Sequence, residues 1–114
     1  MRRALLCVLL ALAGCGGPLS QPAARDLATA RSCDWVAKCG EIGSGKSYAS
    51  RDACEVGQRN DWNNRWSVGK CDGKVIPSDL DLCLKAIDST SCGNALDILN
   101  TVYNKCSEAN VCKG

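Results

Sequence analysis

The chain has 114 residues, with 14 Lys and Arg against 12 Asp and Glu, no His and no Phe. Without histidine, neither a Ser-His catalytic triad nor a His-ligated metal site can form. The charges nearly cancel, whereas nucleic-acid-binding domains carry a basic excess or a basic stripe, so we expect no nucleic acid partner.

The first 14 residues have the pattern of a secretory signal peptide, because two arginines follow the initial methionine and residues 4–13 are all apolar. That apolar run is about half the roughly 20 residues that a membrane-spanning helix needs. It ends in Leu12-Ala13-Gly14-Cys15, which is similar to a bacterial lipobox, where the Cys15 thiol would be joined to diacylglycerol. The alternative is a free or disulfide-bonded Cys15 after an ordinary signal cleavage. We predict a lipoprotein signal peptide over residues 1–14, with lipid, including palmitate, on Cys15.

Three regions are predicted along the chain: the signal peptide at 1–14, a lipidated and flexible tether at 15–24, and a folded domain at 25–114. The tether assignment comes from the Gly, Pro and Ser content of residues 16–22, which is typical of linkers. Such a tether would let the domain stand off from the bilayer.

Ten cysteines are an unusually large number for a chain of this length. Cys7 would be lost with the signal peptide, and Cys15 would carry the lipid. The remaining eight form an even set in a small exported domain, which indicates a disulfide framework. None of them forms a Cys-x-x-Cys pair, which argues against a zinc site or a redox motif, so we expect no metal and no cofactor. The eight are Cys33, Cys39, Cys54, Cys71, Cys83, Cys92, Cys106 and Cys112.

Helix-capping residues and the helical spacing of apolar residues predict an all-α, disulfide-rich domain of about four short helices. The first helix is expected from Ala23 to Cys39, with Gly40 at its C-terminal cap. The second is expected from a cap at Ser50 to Trp66.

Two further helices are predicted in the second half, where the segment 78–81 fits a capping box and Asn94 fits an N-cap. Because about six residues separate these helices, an antiparallel hairpin is their natural packing. We predict that residues 67–77 are irregular and that residues 107–114 form a short tail held by Cys112. The apolar stripes are Leu80, Cys83, Leu84 and Ile87 on the third helix, and Ala95, Ile98, Leu99, Val102 and Cys106 on the fourth.

Eight cysteines allow 105 disulfide connectivities, and the helix faces narrow the choice of partner for Cys83. If the third and fourth helices are antiparallel, an early position on one lies opposite a late position on the other. A Cys83–Cys106 bridge fits that arrangement. Its main rival is the local pair Cys83–Cys92, which would fold the inter-helix loop back.

Residues 40–47, Gly-Glu-Ile-Gly-Ser-Gly-Lys-Ser, match the phosphate-binding pattern G-x-x-x-x-G-K-S. In such a loop Lys46 would contact phosphate oxygens and Ser47 would bind magnesium. The loop must follow a buried strand of an α/β sheet, whereas residues 34–39 are charged and helical in character. We therefore interpret the segment as a glycine-rich turn between helices, a coincidental match, and expect no nucleotide partner.

Trp62 and Trp66 leave two interpretations open. Trp is prominent in binding hot spots, so the pair fits a surface that recognises a protein or a sugar. Two Trp residues four positions apart on one helix are more often core residues, particularly in a chain without Phe.

The span from Cys33 to Cys112 resembles a group of small cysteine-rich lipoproteins of myxobacteria and related delta-proteobacteria, whose function is uncharacterised. The resemblance implies that residues 40–48 are a scaffold feature rather than a nucleotide site, and it implies no activity. Gly16 after Cys15 is compatible with transfer to the outer membrane, as in bacterial lipoproteins generally. The segments that carry the resemblance are 39–43, 45–48, 62–63 with Trp66, 83–87 and 91–93.

Taken together, these patterns lead us to expect a non-enzymatic, lipid-anchored envelope lipoprotein that serves as a structural or recognition module. Scattered acidic residues form no catalytic carboxylate pair, which disfavours an enzyme. The alternative is a secreted inhibitor or toxin-like domain, another common use of cysteine frameworks. The expected partners are the membrane, through the lipid on Cys15, and another envelope protein or a glycan.

Overall fold

A computed structural model describes residues 17–114, so the predicted signal peptide and Cys15 lie outside the described residues. Within that range the chain forms α-helices joined by short turns, with two isolated β-bridges and no strand. None of the helices there is long and apolar enough to cross a membrane. The all-α, disulfide-rich fold is therefore confirmed. The helices are α1 Gln21–Lys38, α2 Arg51–Arg65, α3 Val68–Cys71, α4 Pro77–Ser89, α5 Ala95–Asn100, which continues as a π-helical turn Thr101–Lys105, and α6 Glu108–Val111.

The folded domain begins earlier than the sequence indicates. The Ser20 side chain caps α1 by accepting from the backbone of Ala23, and Pro22 sits in the first turn, where no N–H is needed. Gln21 is fully buried. Leu19 is already joined to Val75 by two backbone hydrogen bonds, with N···O distances of 2.8 and 3.4 Å. The predicted tether over residues 15–24 is thus wrong from Leu19 onward, because its polar residues are helix-capping and buried groups.

Helices α1 and α2 pack antiparallel. Near the end of α1, Cys33 forms a disulfide with Cys54, which is early in α2. At the opposite end, the Gln21 side-chain amide donates to the carbonyl oxygen of Trp66 at 2.7 Å. The core fills the space between these helices and α4. Its buried members include Ala24, Ala28, Trp62, Trp66, Leu80, Leu84 and Ile87.

Helices α1 and α4 instead run in the same direction. The Leu19–Val75 pairing lies before the first residue of each helix. Near their other ends, the Trp35 indole N–H donates to the carbonyl oxygen of Thr90 at 2.8 Å. Just beyond, Cys39 is bonded to Cys92. The domain therefore has two distinct ends, set by where these two helices start and stop.

We call the two ends the entry end and the far end. The entry end is defined by the Leu19–Val75 pairing and the nearby Cys71–Cys112 disulfide. The far end is defined by the Cys39–Cys92 disulfide and the glycine-rich turn at residues 40–48. With 18 residues, α1 separates the two ends by about 27 Å along its axis.

The predicted hairpin of α4 with the following helix is present. Cys83 is bonded to Cys106, and the hydroxyl oxygens of Thr90 and Thr101 lie 2.6 Å apart, so early positions of one element face late positions of the other. The predicted start of α4 is wrong: Ile76, with no side-chain cap, precedes a helix that begins at Pro77. Proline at the first helical position is pre-organised for the helix and replaces the expected capping box.

The apolar stripe predicted for the last long helix is only partly buried. The π-helical turn adds a residue to the local repeat, so the face presented to the core rotates. As a result Thr101 and Cys106 are buried, whereas Leu99 is 49 % exposed and Ala95 is also exposed.

The C-terminal tail is tied to the entry end, as predicted from Cys112. Its one-turn helix α6 buries Val111, whose carbonyl oxygen accepts from the Ile76 backbone at 3.1 Å. The Gly114 backbone N–H donates to the carbonyl oxygen of Lys74 at 2.9 Å.

Candidate functional site

All eight cysteines in residues 17–114 are paired with one another. The Cα–Cα separations run from 4.8 to 5.9 Å, which suits disulfide geometry. The predicted disulfide set and the Cys83–Cys106 bridge are confirmed, and the rival Cys83–Cys92 pair is wrong. The pairs are Cys33–Cys54, Cys39–Cys92, Cys71–Cys112 and Cys83–Cys106.

Trp62 and Trp66 are core residues, with 3 % and 0 % of their surface exposed. Their ring centroids lie 4.6 Å apart. The Trp62 indole N–H donates to the Ser32 hydroxyl at 3.0 Å, and that of Trp66 donates to the carbonyl oxygen of Cys106 at 2.8 Å. The interpretation of this pair as a recognition surface is wrong, because a chain without Phe uses its large aromatic side chains to fill the core.

The glycine-rich turn closes on itself. Gly40, Gly43 and Gly45 have φ values of 75°, 139° and 75°, which favour glycine. The Gly43 N–H donates to the Tyr48 carbonyl oxygen at 2.8 Å, and the Tyr48 N–H donates to that of Glu41 at 3.1 Å. The turn joins α1 to α2, as predicted, and no strand precedes it.

The Glu41 carboxylate is bonded to Ser47, the residue that would bind magnesium in a phosphate-binding loop. The Ser47 hydroxyl and backbone N–H both donate to the Glu41 carboxylate, at 2.8 and 3.3 Å. These two bonds, with a smaller contribution from the Lys46 charge, lower the pKa of Glu41. A magnesium ion bound by the Ser47 hydroxyl would have to disrupt its bond to Glu41. The expected absence of nucleotide binding remains a prediction.

Tyr48 anchors the turn to α2. Its hydroxyl accepts from the Gln58 side-chain amide at 3.1 Å, and its ring lies against Gly57, where an added Cβ would be 2.9 Å from a ring carbon. Gly57 weakens α2 as a helix former, and this close approach is the structural reason for its presence.

The described residues enclose a cavity of about 160 Å³ in the half of the domain toward the far end. It lies between α1, α2, the end of α4 and the π-helical turn. Sequence reasoning missed it, because no local pattern signals that these four segments meet. Its apolar walls are Trp35, Val36, Trp62, Ile87, Ile98 and Val102, and its polar groups are Ser32, Gln58, Asp61, Arg65, Thr90 and Thr101.

The polar groups inside this cavity largely satisfy one another. The Ser32 hydroxyl accepts from Trp62, and the Thr90 and Thr101 hydroxyls are bonded together. At the mouth, the Arg65 guanidinium lies 5.4 Å from the centroid of the exposed Tyr103 ring. The volume suits one small apolar group, comparable with cavities that hold a benzene molecule. Within residues 17–114, no three His, Cys, Asp or Glu side chains are placed to hold a metal ion.

Comparison with known proteins gives one match. A family model described as a family of unknown function, DUF6184, matches residues 33–114. No curated protein and no solved structure matches the chain significantly. The matched region begins at Cys33 and contains all eight paired cysteines, so it coincides with the disulfide framework. Since this region is more than half of the chain, the protein belongs to the DUF6184 family, a family of unknown function.

Proposed function

We propose that the protein is a bacterial lipoprotein of the cysteine-rich myxobacterial type, a non-enzymatic module anchored by lipid on Cys15 in the cell envelope, with the outer membrane as its destination. The module serves a structural or recognition role. Its partners are the bilayer and either another envelope protein or a glycan.

The observation that carries the proposal is the cysteine pairing. Cleavage after Gly14 leaves nine cysteines, and the eight beyond residue 16 are bonded to one another. Cys15 therefore has no intramolecular disulfide partner left in the mature chain. An unpaired cysteine directly after a signal cleavage site is what thioether lipidation requires. This supports lipidation over a disulfide role for Cys15.

Two further features support an envelope location. Four disulfides persist in an oxidising compartment, which the bacterial periplasm and cell surface provide. The cavity presents hydroxyls that are already bonded to neighbours rather than a base poised beside a nucleophile, which supports a binding or scaffold role over catalysis.

The test is the intact mass of the protein extracted from bacterial membranes. The native chain is expected to begin at Cys15, to carry a diacylglycerol and a further acyl chain, and to partition with the membrane. Cys15→Ser is expected to remain uncleaved at this site and without lipid. Cys7→Ser is the matched control, because it lies in the signal peptide and is expected to leave the mature mass unchanged.

A native protein found soluble, cut elsewhere and without lipid would contradict the proposal. If that soluble protein were exported to the medium with its disulfides intact, the secreted inhibitor or toxin-like domain would replace it as the better explanation.

A further inference from the structure

Very little chain separates Cys15 from the folded domain. The residues between Cys15 and Leu19 are Gly16, Gly17 and Pro18, and we call this segment the leash. A fully extended chain spans at most about 3.6 Å per residue, so the Cα atoms of Cys15 and Leu19 are at most about 14 Å apart. A domain on so short a leash cannot stand off from the bilayer.

The domain cannot lengthen the leash without losing structure. Leu19 is held by two backbone hydrogen bonds to Val75, and the Ser20 hydroxyl caps α1. Gln21 is fully buried, its side chain donating to Trp66 and its backbone N–H donating to the Asp72 carboxylate at 3.1 Å. Release of these residues would expose buried groups at the start of α1.

The entry end carries an exposed apolar side chain among lysines. Val68 is 59 % exposed. The Lys70 and Lys113 side chains are 76 % and 53 % exposed and pair with Glu108 and Asp79 at 3.5 and 3.6 Å.

Lys74 lies directly beside the Leu19–Val75 pairing and is exposed. Among the described residues it has no ion pair, so its ammonium group is available to an anion outside the domain. One exposed apolar side chain near exposed lysines suits a headgroup surface, where the ammonium meets lipid phosphate and the apolar body meets the interface.

We propose that the entry end rests on the headgroups of the bilayer, with Lys74 against lipid phosphates, so that the far end and the cavity face away from the membrane. This inference rests on the lipidation of Cys15 proposed above. The leash keeps the local concentration of lipid phosphate near Lys74 high. It also places the glycine-rich turn about 27 Å further out, along α1.

The experiment is lysine acylation, read by mass spectrometry, on the lipidated protein in vesicles of phosphatidylglycerol and phosphatidylethanolamine. The same lipidated protein in micelles of an uncharged detergent, which present no lipid phosphate, gives the unprotected rates. We expect Lys74 to react about fivefold more slowly in the vesicles than in the micelles, the ratio given by the attraction of one lysine to an anionic membrane surface. Lys70 and Lys113 are expected to be protected to a lesser degree, and Lys38 and Lys46, toward the far end, to react at unchanged rates.

Two variants examine the cause of that protection. Insertion of ten Gly and Ser residues between Gly17 and Pro18 leaves the fold and the lipid in place and is expected to restore the Lys74 rate, because the local phosphate concentration falls with leash length. Lys74→Gln is expected to weaken the protection of Lys70 and Lys113, whereas the matched far-end variant Lys46→Gln is expected to leave it unchanged.

The outcomes separate the two proposals. A protein that fails to float with vesicles lacks the lipid anchor, and the proposed function fails with it. A protein that floats, but whose lysines at both ends react at the rates measured in micelles, overturns the orientation alone. Protection of Lys74 that persists on the lengthened leash also overturns it, because the leash would then not be the cause.

Discussion

The entry end and the far end are stabilised in different ways. At the entry end, Val75 and Val111 are fully buried, and three chain segments are joined by backbone hydrogen bonds. At the far end, α5 buries none of its residues, and the turn at 40–48 is closed by bonds within itself. In the Cys39–Cys92 bridge there Cys39 is half-buried and Cys92 exposed, whereas in the entry-end bridge Cys71 is fully buried and Cys112 half-buried.

This difference indicates where the domain opens first. Local opening occurs where few apolar groups are buried and many backbone hydrogen bonds are exposed to solvent. The far end meets that description, and the cavity lies next to it. We therefore expect the entry end to hold its structure while the far end adapts, and the following variants test that division from the largest expected effect to the smallest.

Trp66→Ala is expected to lower the free energy of unfolding by about 3–5 kcal/mol, because it removes a fully buried side chain and leaves the Cys106 carbonyl oxygen without its donor. Urea unfolding measures the loss. Trp62→Ala is the matched control, a second buried Trp of the same core whose ring also lines the cavity. Its ring already borders a cavity, so its loss is expected to be about 1 kcal/mol smaller. Equal losses would show that the cavity does not weaken the packing of Trp62.

Removal of the far-end disulfide by Cys39→Ser with Cys92→Ser is expected to cost about 2–4 kcal/mol, since the bridge closes a separation of 53 residues. Amide hydrogen exchange is expected to accelerate in α5 and in residues 40–48, with little change around Val75. The matched variant, Cys71→Ser with Cys112→Ser, is expected to leave the far end protected. Uniform acceleration in both variants would show that the domain opens as one unit.

Gly57→Ala is expected to destabilise the protein by about 1–2 kcal/mol, because the new methyl group meets the Tyr48 ring and forces the turn away from α2. Thermal unfolding at matched pH measures this. Gly69→Ala is the control: an added Cβ there meets no atom within 4 Å, so better helix propensity is expected to stabilise α3 slightly. If Gly57→Ala leaves the stability unchanged, the turn at residues 40–48 is only loosely packed against α2.

The smallest effect is a pH dependence at the entry end. The backbone N–H of Ser67, and to a lesser degree its hydroxyl and Lys70, lower the pKa of Glu108 below its ordinary value of 4.5. The contribution of Glu108 to the free energy of unfolding is therefore complete above pH 4.5, its ordinary pKa, and is lost as the pH falls through the lowered pKa. Glu108→Gln is expected to be less stable than the native protein at pH 7, a difference that disappears in acid. A difference that persists at low pH would point to packing rather than charge.

Much of the fold is predictable from the sequence because its signals are local. The caps at Ser50 and Asn94 are where expected, and both side chains accept from the third residue of their helix. Helix faces favour the Cys83–Cys106 bridge, because an antiparallel hairpin places the two apolar stripes opposite each other, although they leave the local pair Cys83–Cys92 as a rival.

The remaining features depend on contacts between distant residues. Gln21 looks like a linker residue until its bonds to Asn63 and Trp66, more than 40 positions away, are known. The π-helical turn has no sequence signal of its own, so the faces of α5 could not be assigned. The cavity requires four segments that no periodicity brings together.

The order of the disulfides along the chain has a consequence for biogenesis. An exported polypeptide emerges from its N-terminal side, so consecutive cysteines are the first to meet. None of the native pairs joins consecutive cysteines, and three other cysteines lie between Cys39 and its partner Cys92. If the chain is exported as proposed above, oxidation of the cysteines in their order of emergence yields wrong bridges first, and maturation then depends on thiol–disulfide exchange over seconds to hours. A cell that makes this protein needs isomerase capacity, not only an oxidant, in the compartment where it folds.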